Sequence, residues 1–152
     1  MPEYHAPFRC ELLTPSGSAF ASQVVFAVVP AADGQLGILG QRAPVVAAMG
    51  AGRLAVQLPD GQTREYFVAG GFAQMRDNAL TVLAERCVPL ERLDPSAAWD
   101  EIEKAKSLPA DTRAAAARRA EAISVARTKL RVAQEYRRRG RGDGDSVVPT
   151  RP

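Results

Sequence analysis

The sequence predicts a β + α chain: a strand-rich N-terminal part that reads as an antiparallel sandwich or barrel, followed by a pair of helices. Three observations carry this. Short apolar runs closed by Gly, Pro and Asp recur up to about residue 88, the apolar period changes to a helical one after Pro89, and the positive charge is gathered in one late segment.

Phe8, Cys10 and Leu12 alternate with Arg9 and Glu11, and Thr14-Pro15-Ser16-Gly17 ends that strand. Val24 to Val29 predicts the next, closed by Pro30 and the Asp33-Gly34 turn; on composition Asp33 to Gly37 is a tight turn. Leu54, Val56 and Leu58 alternate up to Pro59-Asp60-Gly61, a hairpin signal because Asp-Gly tolerates positive φ angles. Glu65 to Met75 predicts further strand, bent at Gly70-Gly71, and Asp77-Asn78 turns the chain into Leu80 to Glu85. Asp94-Pro95 starts a helix, since Asp caps free amides and Pro suits the first helical position; Ser107-Leu108-Pro109 ends it. A second helix runs from Asp111 or Thr112 to about Arg139, stopped by Gly140 and Gly142, with Ala116, Ala120, Ile123, Ala126, Leu130 and Ala133 as its apolar stripe. This divides the chain into 1–90, 91–140 and a tail, 141–152, expected to be disordered.

The 152 residues suit one domain or a domain with an appendage. No apolar run approaches the ~20 residues needed to cross a bilayer, and Met1-Pro2-Glu3-Tyr4-His5 does not read as a signal peptide, so a cytosolic protein is expected. Cys10 and Cys87 read as small apolar side chains of a reducing compartment. Residues 1–109 hold nine basic and twelve acidic side chains, whereas 110–141 hold ten basic against three acidic, so a partner of this segment should be acidic.

Catalytic chemistry is scarce. The single histidine, His5, sits near the terminus, no cysteine lies at metal-ligand spacing from another, and neither a Gly-rich loop ending in Gly-Lys-Ser/Thr nor a Gly-x-Ser-x-Gly elbow occurs. No catalytic residue, metal or cofactor is assigned. Residues alone leave open a small β-domain adaptor or RNA-binding protein with a basic helical arm, although Tyr136 is the arm's sole stacking residue.

Three ordered blocks narrow the choice: Asp33-Gly34-Gln35-Leu36-Gly37-Ile38-Leu39 running into Gly40-Gln41-Arg42-Ala43-Pro44, then Val68-Ala69-Gly70-Gly71-Phe72, then Leu80-Thr81-Val82-Leu83-Ala84-Glu85. In this they resemble the epsilon subunit of F-type ATP synthase. The likeness covers roughly residues 3–139, is strong over 24–94, and is loose in the helices, where Leu130-Arg131-Val132-Ala133 matches best.

The resemblance implies an N-terminal antiparallel β-sandwich followed by a C-terminal two-helix antiparallel hairpin. It further implies a non-catalytic rotor subunit, peripheral on the cytoplasmic face of a bacterial inner membrane or the stromal side of a plastid one. Asp33, Gly34 and Gln35 are then contacts to the c-ring loops, and Gln41, Arg42, Ala43 and Pro44 belong to the surface facing the c-ring or the gamma subunit. Arg119, Arg127, Lys129, Arg131, Arg137 and Arg138 are then the cations that meet acidic segments of the catalytic beta subunits, and possibly alpha, when the helices extend along gamma and block hydrolytic rotation. No nucleic acid is expected, and the membrane is met only through the complex.

Two departures matter. Arg42 stands where the family has a histidine, which replaces a titratable group by a permanent cation. The family's nucleotide motif, Ile/Leu-Asp-x-x-Arg-Ala, is here Leu93-Asp94-Pro95-Ser96-Ala97-Ala98, with Ala97 in place of the arginine and Val88 where an acidic residue often precedes it. Weak ATP binding or none is the expectation.

Overall fold

The computed structural model describes residues 6–141 and separates into two compact units, which meet in sequence at Val88 and Pro89. His5 and the tail from Gly142 onward lie outside the described residues.

The first unit holds ten strands: β1 (Phe8–Thr14), β2 (Gly17–Val24), β3 (Phe26–Ala31), β4 (Gly34–Leu39), β5 (Val45–Ala48), β6 (Gly52–Gln57), β7 (Thr63–Ala69), β8 (Phe72–Arg76), β9 (Ala79–Leu83) and β10 (Arg86–Pro89). They form two five-stranded sheets, ordered β2-β1-β9-β8-β5 and β10-β7-β6-β3-β4. The expected sandwich is thus present, with one qualification: β1 and β9 run parallel, Arg9 opposite Ala79 through Leu13 opposite Leu83. Between them lies the core, in which Phe8, Cys10 and Leu12 meet Val29, Ile38, Leu54, Val56, Tyr66, Val68, Met75, Leu80 and Val82. Along β1, β8 and β9 every second residue turns inward, as a pleated face requires, whereas β6 and β7 bury consecutive residues.

Turn chemistry closes the strands. Asp77 and Asn78 both take positive φ, 51° and 58°, as a two-residue hairpin of this twist demands. Gly70 and Gly71, at φ 73° and 93°, pass the chain from one sheet to the other. A Cβ on Gly71 would collide with the Leu83 carbonyl, so only glycine fits there.

Four expectations need correction. The strand expected over Val24 to Val29 is two strands: Val24 ends β2 in one sheet, and Phe26 begins β3 in the other. Pro30 lies inside β3 rather than closing it. Its carbonyl accepts from the Gly50 N–H at 2.9 Å, and its missing donor faces the same side, beyond the last β6 pair, Val28 with Ala55. Asp33 to Gly37 is not one tight turn; only Ala32-Asp33 turns, and Gly34 onward is β4, whose alternation of buried Ile38 with half-buried Leu36 is masked in sequence by the glycines. Strands β2, β5 and β10 were not anticipated, because short or half-exposed edge strands carry little alternating apolar signal.

The second unit begins with a single 3-10 turn, Leu90–Arg92, followed by α1 (Pro95–Lys106) and α2 (Arg113–Arg141). The Asp94 carboxylate accepts from the Ser96 N–H at 3.0 Å and caps α1. Thr112 caps α2: its hydroxyl accepts from the Ala115 N–H at 3.0 Å. Ala98 and Ile102 of α1 pack with Ala126 and Leu130 of α2, and the Lys129 ammonium meets the Glu101 carboxylate at 2.7 Å across the seam. The apolar stripe is shifted in phase from the one expected at its start. Ala116 and Ala120 are exposed and Ala115 is buried, because the inward line continues back from Ala126 through Ile123 and Arg119. Gly140 does not stop α2, which runs through it to Arg141.

Candidate docking surfaces

The sandwich presents three surfaces. At one end, Ala32-Asp33 turns β3 into β4, and the turn is tied down by the Ala32 N–H donating to the Ala48 carbonyl at 2.9 Å. Asp33, Gly34 and Gln35 are all exposed there. At the other end of β4 lie Gln41, Arg42, Ala43 and Pro44, also exposed. Since β4 rises about 3.3 Å per residue, the two groups are separated by roughly 20 Å. They are two surfaces at opposite ends of one strand.

The Gln41 end is held by Asn78. Its side-chain oxygen accepts from the Gln41 N–H at 2.8 Å, its amide nitrogen donates to the Pro7 carbonyl at 3.2 Å, and its own carbonyl accepts from the Arg9 N–H at 3.3 Å. Gln41 itself takes φ 61°. Arg42 folds back so that Nη1 donates to the Gly37 carbonyl at 3.3 Å, on the side of β4 away from β3.

The third surface was missed in the sequence. On the outer face of the β2-β1-β9-β8-β5 sheet, Phe72 is paired across to Ala48 on one side and Leu83 on the other, and Leu83 to Leu13. Val46, Phe72 and Leu83 are 66%, 56% and 50% exposed. Large apolar side chains gathered in this way on a sheet face mark an interaction surface. A signal existed: Phe72 is out of phase with the buried Ala73 and Met75, and Leu83 with the buried Leu80 and Val82.

The helical unit spreads its cations unevenly. Arg127, Arg131, Arg137 and Arg138 are exposed, whereas Arg119 and Lys129 are half-buried. Arg131 pairs with Glu135 at 3.6 Å, Arg137 lies 3.8 Å from Asp94, and the buried Nε of Arg119 has no hydrogen-bond partner. Pro95, Gln134, Arg137 and Arg138 line an open hollow of about 380 Å³ beside the start of α1. Of the nucleotide-like motif, Leu93 and Ala98 are buried, Asp94 serves as the cap, and Ala97 is exposed with nothing to offer an anion. Burial pushes the Cys10 thiol up to about 12, helped by the neighbouring Glu11 charge, and burial also raises Cys87. Among the described residues no group of three or more His, Cys, Asp or Glu could hold a metal ion, and no helix is long and apolar enough to cross a membrane.

The fold is thus a β-sandwich that offers an apolar face and two exposed ends, followed by a capped helical pair. The match to a known family is direct: residues 7–90 fit the ATP synthase delta/epsilon chain beta-sandwich domain. An ATP synthase epsilon chain of Rhodopirellula baltica is 35% identical over 83% of this chain and 98% of its own length, and that of Parvibaculum lavamentivorans is 37% identical over 68% and 78%. The chain belongs to the ATP synthase epsilon family. The fold is shared with a chain in the Euglena gracilis mitochondrial ATP synthase structure that includes F1 and the c-ring, at TM-score 0.71, 20% identity, and 88% and 86% coverage of the two chains. It is shared as well with a chain of the Tetrahymena thermophila central stalk and c-ring, at TM-score 0.65, 15% identity, and 82% and 95% coverage.

Proposed function

We propose that this chain is a non-catalytic rotor subunit of an F-type ATP synthase, peripheral on the cytoplasmic face of a bacterial membrane, whose sandwich couples gamma to the c-ring. The observation that carries the reading is family membership over the sandwich together with its exposed apolar face. Asp33, Gly34 and Gln35 then meet the c-ring loops. Val46, Phe72 and Leu83, with Gln41, Arg42, Ala43 and Pro44, meet gamma. A chain ending near Glu91 should retain gamma binding, and Phe72→Asp should lose it while remaining folded. Undiminished binding by Phe72→Asp, or a folded truncation that fails to bind, overturns this division of labour.

The helices regulate hydrolysis by setting the cations of α2 against acidic segments of the beta subunits. The hairpin engages Lys129 with Glu101, so this cation becomes available to a partner only as α1 and α2 part. Exposed ion pairs are worth only ~0–1 kcal/mol each, so single changes should matter little. Replacing Arg127, Lys129, Arg131, Arg137 and Arg138 together by Gln should raise hydrolysis by the reconstituted complex toward that of the truncation, and added salt should act the same way. Inhibition that survives both treatments means that the helices block by shape. MgATP should give no saturable heat up to about 1 mM, because the missing arginine at Ala97 removes a charge-assisted contact of roughly 1.5–3 kcal/mol.

A further inference from the structure

Three segments far apart in sequence meet where the loop 40–44 leaves β4 for β5. The turn of the β8–β9 hairpin, Asp77-Asn78, lies between the paired Arg76 and Ala79 and reaches this loop through one side chain: Asn78 Oδ1 accepts from the Gln41 N–H at 2.8 Å. Asn78 Nδ2 donates to the Pro7 carbonyl at 3.2 Å, so the same amide also grips the chain as it enters β1. There the backbone passes directly against the loop, since a Cβ on Gly40 would come within 2.3 Å of the Ala6 carbonyl oxygen. Among the described residues no other hydrogen bond joins residues 40–44 to a distant segment; Arg42 folds back only on Gly37 of the strand it follows.

The loop needs such a grip. Gln41 takes φ 61°, the left-handed region that side chains other than Asn and Asp rarely enter, and a residue held there persists only where its surroundings over-determine it. The place of the grip matters as well. The loop runs straight into β5, which carries Val46, while β8 and β9 carry Phe72 and Leu83. Val45 pairs with Met75 and Val46 with Gln74, so the chain is anchored to β8 by the strand ladder after the loop and to the β8–β9 turn by Asn78 within it. One side chain thus fixes the polar loop relative to the apolar face.

We infer that Asn78 is a positioning residue for docking: it holds residues 41–44 in the shape in which they join Val46, Phe72 and Leu83 as one surface, so that gamma meets a loop already ordered. The inference rests on the docking reading given above and adds to it the residue that presets the surface. A loop ordered in the free chain costs nothing further to order on binding, and releasing it transfers that cost to the complex. The two limbs of the amide are separable. Asn78→Asp keeps the oxygen that accepts from Gln41 and loses the donor to Pro7, whereas Asn78→Gly loses both. Asp-Gly is a favoured pair for a two-residue hairpin turn, so the second variant keeps the fold.

Titration of the full chain with gamma, together with amide hydrogen exchange of the free chain, tests this. Asn78→Gly should speed exchange of the Gln41 amide and weaken gamma binding roughly tenfold, while its circular dichroism stays that of the folded chain. Asn78→Asp should keep Gln41 protected and bind within about threefold of the unaltered chain. Undiminished binding by Asn78→Gly overturns the inference, and so does Gln41 exchange that this variant leaves unchanged. An equal loss of affinity in both variants, with Gln41 still protected in Asn78→Asp, overturns it too, because Asn78 is then a contact in its own right. The docking reading fails by a different result: if the unaltered chain does not bind gamma, reading and inference fall together, whereas the inference falls alone when Phe72→Asp loses gamma and Asn78→Gly retains it.

Discussion

The two units of this chain solve the same problem with different material. The sandwich closes on a core of Phe, Leu, Ile, Met, Val and Tyr drawn from both sheets, while the α1–α2 seam packs Ala98 and Ile102 against Ala126 and Leu130, with small residues such as Ala105 and Ala115 buried in the same helices. Burying a large aliphatic or aromatic side chain stabilises by about 1.5–3 kcal/mol, and an alanine methyl by far less. The sandwich is therefore built to stay as it is. The hairpin rests on smaller side chains and closes with an ion pair, so opening it should cost less than opening the sandwich.

The widest gap should appear on core truncation. Leu12→Ala, at a fully buried site, should lower the stability of the sandwich by roughly 2–5 kcal/mol, whereas Leu130→Ala should melt the hairpin and leave the sandwich transition in place. Trp99, the sole tryptophan and 53% exposed on α1, provides a fluorescence signal for the hairpin alone. Denaturation followed by that signal and by far-UV circular dichroism checks this. Coincident shifts of both transitions in both variants would break the comparison.

Glycine sharpens it by sign. Gly71→Ala forces a Cβ into the Leu83 carbonyl at φ 93° and should destabilise the sandwich by about 2 kcal/mol or more. Gly140→Ala meets nothing within 4 Å inside α2 and should stabilise the helix by up to about 1 kcal/mol. Thermal melts of the two variants should move in opposite directions.

A smaller effect is expected at the seam. Glu101→Gln removes the carboxylate that Lys129 meets and should loosen the hairpin by about 1 kcal/mol or less, seen as faster hydrogen exchange over α1 with exchange in β1 and β9 unchanged.

At neutral pH the smallest effect is that of Cys10, which is felt only on the alkaline side. The thiol of Cys10 titrates at about 12 in the fold against 9.0 when free, so the unfolded chain holds fewer protons above pH 9. Stability from the protonated thiol is thus complete below pH 9 and falls between 9 and 12, by up to ~1.4 kcal/mol per pH unit. Cys10→Ala should flatten that slope in urea titrations across this window.

Much of this was legible in the residues. The strands with strict alternation, such as Phe8-Arg9-Cys10-Glu11-Leu12, and the Asp94-Pro95 cap announce themselves because their signals are local: a side-chain period, a turn dipeptide, an oxygen placed to accept from a free amide. The three motif blocks led to the family in the same way, since they record turns that only particular residues make. Other features depend on residues far apart in the chain. The sequence contains Val46, Phe72 and Leu83 but not their adjacency, which arises when β5, β8 and β9 pair. It shows Asp33 and Arg42 nine residues apart without revealing that β4 sets them at opposite ends of the sandwich, or that Asn78 reaches back to hold Pro7 and Gln41 together. The exchange of sheets at Val25 and the phase of the α2 stripe are of this kind too. Local conformation follows from each residue's own sterics and hydrogen bonding, and the sequence determined it; which surfaces exist depends on long-range pairing, and only the tertiary structure decided that.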